Sequence, residues 1–174
     1  MVKTIRLLVD KDAEQFQKIR LLSLKEDSIS WLASWEEEKD LPTSTFAYRI
    51  TSAYFHPIFG YWGLFYGNEL IAVAYLSKSY WAKTQHIAML YDVCVHPKYR
   101  RQSVGSELLR HIIQKAKTLK SLDAIHLYTT SRNTPAMKFY ESLGFKKVAT
   151  IPKSVKEKDG TYQDQYLFIL HLKE

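Results

Sequence analysis

Apolar and polar positions along the chain change period several times, and the changes mark out the elements. Residues 4–8, Thr-Ile-Arg-Leu-Leu, read as a first strand. Asp10 then caps a helix running to about Lys25, with an apolar stripe at Ala13, Phe16, Ile19 (or Arg20) and Leu24 at helical spacing. Glu26-Asp27-Ser28 breaks it. Residues 31–40 read as a loop with a short helix that ends at Leu41-Pro42, because the residue before a proline resists helical angles. Residues 44–55 form a further helix, closed by His56-Pro57.

Three strand-like runs follow at residues 61–66, 70–76 and 86–95, the first two joined by the hairpin turn Gly67-Asn68. A long helix over residues 103–119 carries Val104, Leu108, Ile112 and Ala116 in line at i+4 steps. Residues 124–128 read as a strand. Asn133 caps a short helix with Pro135 in its first turn, and Gly144 just beyond the end supplies a left-handed C-terminal turn. Residues 145–151 and 163–172 are two final strands separated by the polar turn at 156–160.

The order β-α-α-(α)-β-β-β-α-β-α-β-β predicts an α/β (α+β) fold with a mixed, mostly antiparallel central sheet and helices on both faces. The helix from Ser103 links runs 86–95 and 124–128, which implies a parallel pair with a right-handed crossover. Two parallel strands inside an antiparallel sheet can splay at one end and leave backbone groups unpaired.

Composition narrows the class. The chain has 174 residues, 46% apolar and 25% charged, as expected of one globular domain over residues 1–174. There is no repeat, no low-complexity segment, no run long enough to span a membrane, and no signal-peptide pattern. The lone Cys94 sits in an apolar run, which fits a reducing, cytoplasmic setting. A formal charge of +7 raises nucleic acid as a partner. The basic residues are scattered, however, and neither a basic helix nor zinc-finger spacing occurs. No nucleic acid, membrane or metal partner is expected.

The chemistry concentrates at Val93-Cys94-Val95-His96-Pro97-Lys98-Tyr99-Arg100-Arg101-Gln102-Ser103-Val104-Gly105-Ser106. A buried strand stops at a proline, a basic turn follows, and small residues open the long helix. The first N–H groups of a helix have no internal partner, so such a junction favours an anion, above all phosphate.

This stretch resembles the GCN5-related N-acetyltransferase (GNAT) superfamily. Its marker of Arg or Gln, two free positions, Gly, one free position, then Gly or Ala reads here Arg100-Arg101-Gln102-Ser103-Val104-Gly105, with serine in place of the first glycine. A second marker, Asn133-Thr134-Pro135-Ala136-Met137-Lys138-Phe139-Tyr140-Glu141-Ser142-Leu143-Gly144-Phe145, is similar to the family's asparagine, helix, tyrosine and Gly-Phe segment. The resemblance implies a splayed parallel strand pair and acetyl-coenzyme A as donor. The amides of Gln102, Ser103, Val104, Gly105 and Ser106, with the side chains of Arg100 and Arg101, are expected to hold the pyrophosphate. The strand edge at Val93, Cys94 and Val95 is expected to pair with the pantetheine arm. Asn133, Ala136 and Phe139 would reach the arm from across the splay. Ser103 offers a hydroxyl to cap the helix or meet a phosphate. Cys94 reads as a small buried side chain.

The implied reaction is direct acetyl transfer to a primary amine through a tetrahedral intermediate. A backbone N–H near Val95 would stabilise its oxygen, and Tyr140 resembles the family's proton donor to the leaving thiolate. Asp92 is the candidate base; its alternative is an acid hydrogen-bonded to backbone, His96 or Tyr99. Glu36, Glu37 and Glu38 either line the acceptor entrance or form a solvated helix face. Trp31, Trp35, Tyr48, Phe55, Tyr80 and Trp81 either line an acceptor pocket or belong to the core or a dimer face. The leading reading is an acetyltransferase for a small amine. The alternatives are a protein N-terminal or lysine acetyltransferase and a non-catalytic acyl-coenzyme A sensor. A homodimer is left open, with the strand at 163–172 as the segment to pair between subunits.

Overall fold

The computed structural model describes residues 2–54 and 57–173. Among these residues seven strands form one sheet: β1 (Lys3–Leu7), β2 (Gly60–Tyr66), β3 (Glu69–Lys78), β4 (Ile87–Val95), β5 (Ala124–Thr130), β6 (Lys146–Lys156) and β7 (Tyr162–His171). Their spatial order is β1-β2-β3-β4-β5-β7-β6. All neighbours are antiparallel except β4 and β5, as the crossover helix requires. That parallel ladder covers only Ile87, Ala88 and Met89 against Ala124, Ile125 and His126. Past Met89 the two strands part.

Among the described residues, five α-helices accompany the sheet: α1 (Ala13–Glu26), α2 (Trp35–Glu38), α3 (Thr43–Ala53), α4 (Val104–Lys117) and α5 (Thr134–Ser142). The stripe Val104, Leu108, Ile112 and Ala116 of α4 is buried throughout and joins Leu64, Ile71, Leu76, Leu90, Ile125 and Phe168 in one core. Each fully buried leucine or isoleucine there contributes about 1.5–3 kcal/mol relative to exposure. The opposite face carries a second core of Phe16, Ile19, Phe46, Ile50, Tyr61, Val73 and Cys94, supplied by α1, α3 and the middle strands.

Several expectations change. Asp10 does not cap α1: the chain makes a 3-10 turn first, and Asp12 spends its carboxylate on the Val9 N–H and on Arg6. The third helix is Thr43–Ala53; of its expected end at Phe55 and closure by His56-Pro57, Phe55 and His56 lie outside the described residues. β6 runs on to Lys156 through Pro152, which an outer strand with a register shift between Ile151 and Val155 tolerates. β7 lies between β5 and β6 with both edges occupied, so it cannot pair between subunits.

Candidate functional site

The splay opens a cleft of about 920 Å3. Its walls are the parted stretch of β4, the turn into α4, the end of β5, the start of α5 and residues 27–33 from the link after α1. That link is tied across the gap. Thr130 donates its hydroxyl to the Ile29 carbonyl at 3.3 Å, and Asn133 donates Nδ2 to Ser30 Oγ at 2.9 Å.

One wall is main chain. Among the described residues, no backbone or side-chain group accepts from the N–H groups of residues 101–106; the first of this stretch to bond inward is Glu107, to the Ser103 carbonyl at 2.9 Å. Arg101 and Ser103 both adopt left-handed angles, φ 59° and 60°, which curl the turn so that successive amides converge. Gly105 explains its own identity: a Cβ there would meet Val95 Cγ2 at 3.2 Å and Phe139 Cζ at 3.3 Å. Glycine lets the first turn of α4 sit directly on β4 and α5. These orphan donors at a helix start, beside Arg101, fit a diphosphate.

The β4 edge supplies a second run of backbone. His96 donates its N–H to Ile71 on β3 at 2.9 Å. Strand alternation therefore turns the Val95 amide to the unpaired side, while Cys94 pairs back to Val73. The Val95 carbonyl accepts from Arg100 Nε at 3.1 Å, so part of that guanidinium serves the strand exit as well as the turn.

The other wall is made of side chains. β4 carries a bulge where two residues oppose one on β3, and its pivot Asp92 has φ 50°. Tyr91 and Asp92 consequently both face the α1 side, the Tyr91 ring tilted against Tyr75 and Asp92 reaching Tyr61. Asp92 Oδ1 accepts from Arg20 Nη1 at 3.0 Å, and Oδ2 accepts from the Tyr61 hydroxyl at 2.8 Å. Arg20 also donates to Glu38 from Nε and Nη2, Arg49 donates to Glu38 at 2.9 Å, and Trp31 lies over the Arg20 guanidinium at 4.2 Å. Burial acts to raise the Glu38 pKa, but the hydrogen bonds and charges of Arg20 and Arg49 outweigh it and hold the carboxyl below its usual range. For Arg20 burial acts downward, and the bonds to Glu38 and the charge of Asp92 prevail and raise it.

Of the predicted site residues, all line this cleft except Gln102, whose side chain is exposed and donates to the Lys98 carbonyl. The Ser103 hydroxyl makes no cap. Asn133 is a cap as well as a wall: its Oδ1 accepts from the Ala136 N–H at 3.2 Å. Asp92 is bonded, but to Arg20 and Tyr61; His96 instead accepts from the Lys98 N–H, and Tyr99 donates to Glu69. Burial pushes the Cys94 thiol up to about 12, which makes it inert. Burial also raises the Tyr140 hydroxyl, which lines the cleft with no hydrogen-bond partner among the described residues.

The glutamate run does not reach the cleft. Glu36 pairs with Lys158 at 3.4 Å, Glu37 accepts from the Ser34 N–H, and Glu38 is buried under Arg20. Of the proposed aromatic residues only Trp31 lines the site. Tyr48, Tyr80 and Trp81 lie on the surface, Trp35 meets Lys25 and Lys39, and Phe55 lies outside the described residues. Sequence reading missed Arg20, Asp27, Tyr61, Tyr91 and Tyr128. A buried arginine interrupting the apolar stripe of α1 was the available signal for the first.

Comparison with known proteins agrees with this geometry. The structure is similar to an acetyltransferase of the GNAT family from Streptococcus pneumoniae, with a TM-score of 0.85 at 19% identity, covering 98% of this chain and 99% of that one. It is also similar to the yncA protein of Salmonella typhimurium solved with its cofactor acetyl-CoA, with a TM-score of 0.79 at 17% identity, over 100% and 96% of the two chains. In sequence it is 36% identical over 67 residues to the ribosomal protein bS18-alanine N-acetyltransferase of Escherichia coli K12, a match spanning 38% of this chain and 44% of that protein. No helix among the described residues is long and apolar enough to cross a membrane. The profile of the Acetyltransferase (GNAT) family matches residues 22–145, well over half the sequence, and the chain belongs to that family.

Proposed function

We propose that the protein is an acetyl-CoA-dependent N-acetyltransferase acting on the primary amine of a small molecule. The row of unpartnered amides over residues 101–106, fronting the unpaired edge of β4, carries the reading. The diphosphate takes the amides, and the amide groups of the pantetheine arm pair with the strand edge. The thioester carbonyl then lies near the Val95 N–H. The acceptor enters from the side of residues 27–33, between Trp31, Tyr91 and Tyr128.

Neutral amine attacks the carbonyl carbon, and charge collects on oxygen beside the fixed N–H dipole. Collapse breaks the C–S bond. Tyr140, held protonated by burial, gives its proton to the thiolate. The nitrogen sheds its proton to solvent, which restores the phenol.

The link over residues 27–33, tied down at Thr130 and Asn133, favours a small acceptor by narrowing the entrance. Asp27 is the only carboxylate on the wall without a protein partner among the described residues, and Arg20 is already committed to Glu38 and Asp92. An amine without a carboxylate of its own suits that balance better than an amino acid. A second reading, acetylation of a protein N-terminus, rests on the bS18-alanine relative. Thiol release from acetyl-CoA over a panel of diamines, arylalkylamines, amino acids and alanine-started peptides tests all of this. Release with diamines or arylalkylamines is expected. Release with peptides alone overturns the small-molecule assignment, and release with none overturns the enzyme.

A further inference from the structure

We propose that Arg20 and Tyr61 are positioning residues for acyl transfer: by gripping the Asp92 carboxylate they lock the bulge of β4, and Asp92 acts as that anchor instead of as the base. The inference rests on the acetyltransferase reading.

Asp92 adopts φ 50°, an angle that costs most residues free energy and that Asp and Asn tolerate best after glycine. The pivot sits one residue before the open edge at 93–95, so its angle sets where that edge points. Both carboxylate oxygens are held from outside β4, by Arg20 of α1 and Tyr61 of β2. Neither partner is free to wander. Arg20 is fixed by Glu38 of α2, which Arg49 of α3 also grips, and Tyr61 stacks on Tyr75 at 4.6 Å and packs on Phe16. The carboxylates of Asp92 and Glu38 balance the two guanidinium groups. Both Asp92 oxygens already accept a hydrogen bond, one of them from the buried Arg20 guanidinium. An acid so placed holds geometry. Because Trp31 lies on the same guanidinium, one residue fixes both the acceptor wall and the donor edge.

The two roles separate on substitution. Asp92→Asn keeps both bonds, its amide oxygen accepting from Arg20 and its N–H donating to the Tyr61 oxygen, and it tolerates the left-handed angle. Asp92→Gly keeps the angle but loses the anchor, and Asp92→Ala loses both. We expect Asp92→Asn to retain kcat within about tenfold of wild type with the acidic limb of its pH profile unmoved, whereas removing a general base costs about 10²–10⁴-fold. Asp92→Ala should lose about 10²-fold in kcat, with Asp92→Gly between them. Tyr61→Phe, which preserves the ring packing, should lower kcat several-fold without moving the pH profile. Calorimetry reads the same order without any acceptor: acetyl-CoA binds wild type and Asp92→Asn alike, and Asp92→Ala about tenfold more weakly.

If Asp92→Asn falls as far as Asp92→Ala and loses the acidic limb, Asp92 is the base and the inference fails alone. Equal acetyl-CoA affinity in wild type and Asp92→Ala overturns it as well. A folded wild type that binds no acetyl-CoA removes the enzyme reading and the inference together.

Discussion

The two walls of the cleft are made of different material. The wall proposed for the donor is main chain from one continuous stretch, β4 through the first turn of α4, and its groups are amides that any sequence with the right turn presents. The wall proposed for the acceptor presents the side chains of Arg20, Trp31, Tyr91 and Asp92, and a buried network braces it from behind through Glu38, Arg49 and Tyr61, far apart in sequence. A backbone site demands conformation, hence the left-handed residues at 101 and 103 and the crowded glycine at 105. A side-chain site demands partners, hence Arg20 with Glu38 and Asp92. Substitutions should damage the two in different ways.

The largest effect is expected at Tyr140, which lines the cleft from α5. Tyr140→Phe should lower kcat by about 10²-fold or more while leaving acetyl-CoA affinity unchanged, since in the proposed reaction the hydroxyl serves only the leaving thiolate. Steady-state kinetics beside calorimetry would check it, and unchanged turnover would remove Tyr140 from the chemistry.

On the donor wall, Gly105→Ala should weaken acetyl-CoA binding by about tenfold, because the added methyl meets Val95 and Phe139 and lifts the helix start off β4. Acceptor KM should stay put, and a matching rise there would blur the division between the walls. Behind the side-chain wall, Glu38 titrates lower in the folded chain than in the unfolded one, and so does Asp12, which is held by Arg6 before α1. For each, burial works in the opposite direction and the arginine bonds prevail. Their contribution is complete above the unfolded carboxylate pKa, about 4, and disappears as pH falls through the folded values. Glu38→Gln should therefore lower the denaturant midpoint at about pH 7, and its deficit should shrink towards about pH 3. A deficit that is flat with pH would mean the network adds packing and no charge.

The smallest effect concerns Ser103. Its φ of 60° suits glycine, so Ser103→Gly should stabilise the fold by about 1 kcal/mol, raising the melting temperature by about 3 °C. Donor affinity should hold or tighten. A looser complex would show that the serine hydroxyl binds phosphate.

The same contrast explains what the sequence disclosed. The strand, basic turn and helix start lie within one window, so periodicity and spacing pointed to an anion site there and the family resemblance supplied the expected donor; the crossover from β4 to β5 followed from one amphipathic helix between two apolar runs. The acceptor wall has no such window. Nothing local in Tyr61 says that it shares Asp92 with Arg20, and nothing local in Glu38 says that it meets Arg20, because both arrangements are made by packing elements together. The glutamate run looked alike at three positions, yet a single turn of helix buries Glu38 and leaves Glu36 and Glu37 outside. Surface aromatics such as Tyr80 and Trp81 misled for the same reason, since composition does not say which side of a turn a ring occupies. The left-handed angle at Asp92 was invisible too, since a bulge is a property of two strands in register.

Isothermal titration of the folded protein with acetyl-CoA is the most direct test of the claim that the turn from β4 to α4 holds its diphosphate. Saturable binding of one equivalent, competed by free coenzyme A and weakened in Gly105→Ala, is the predicted result. The absence of any binding heat in a sample shown to be folded, over several temperatures, would contradict it.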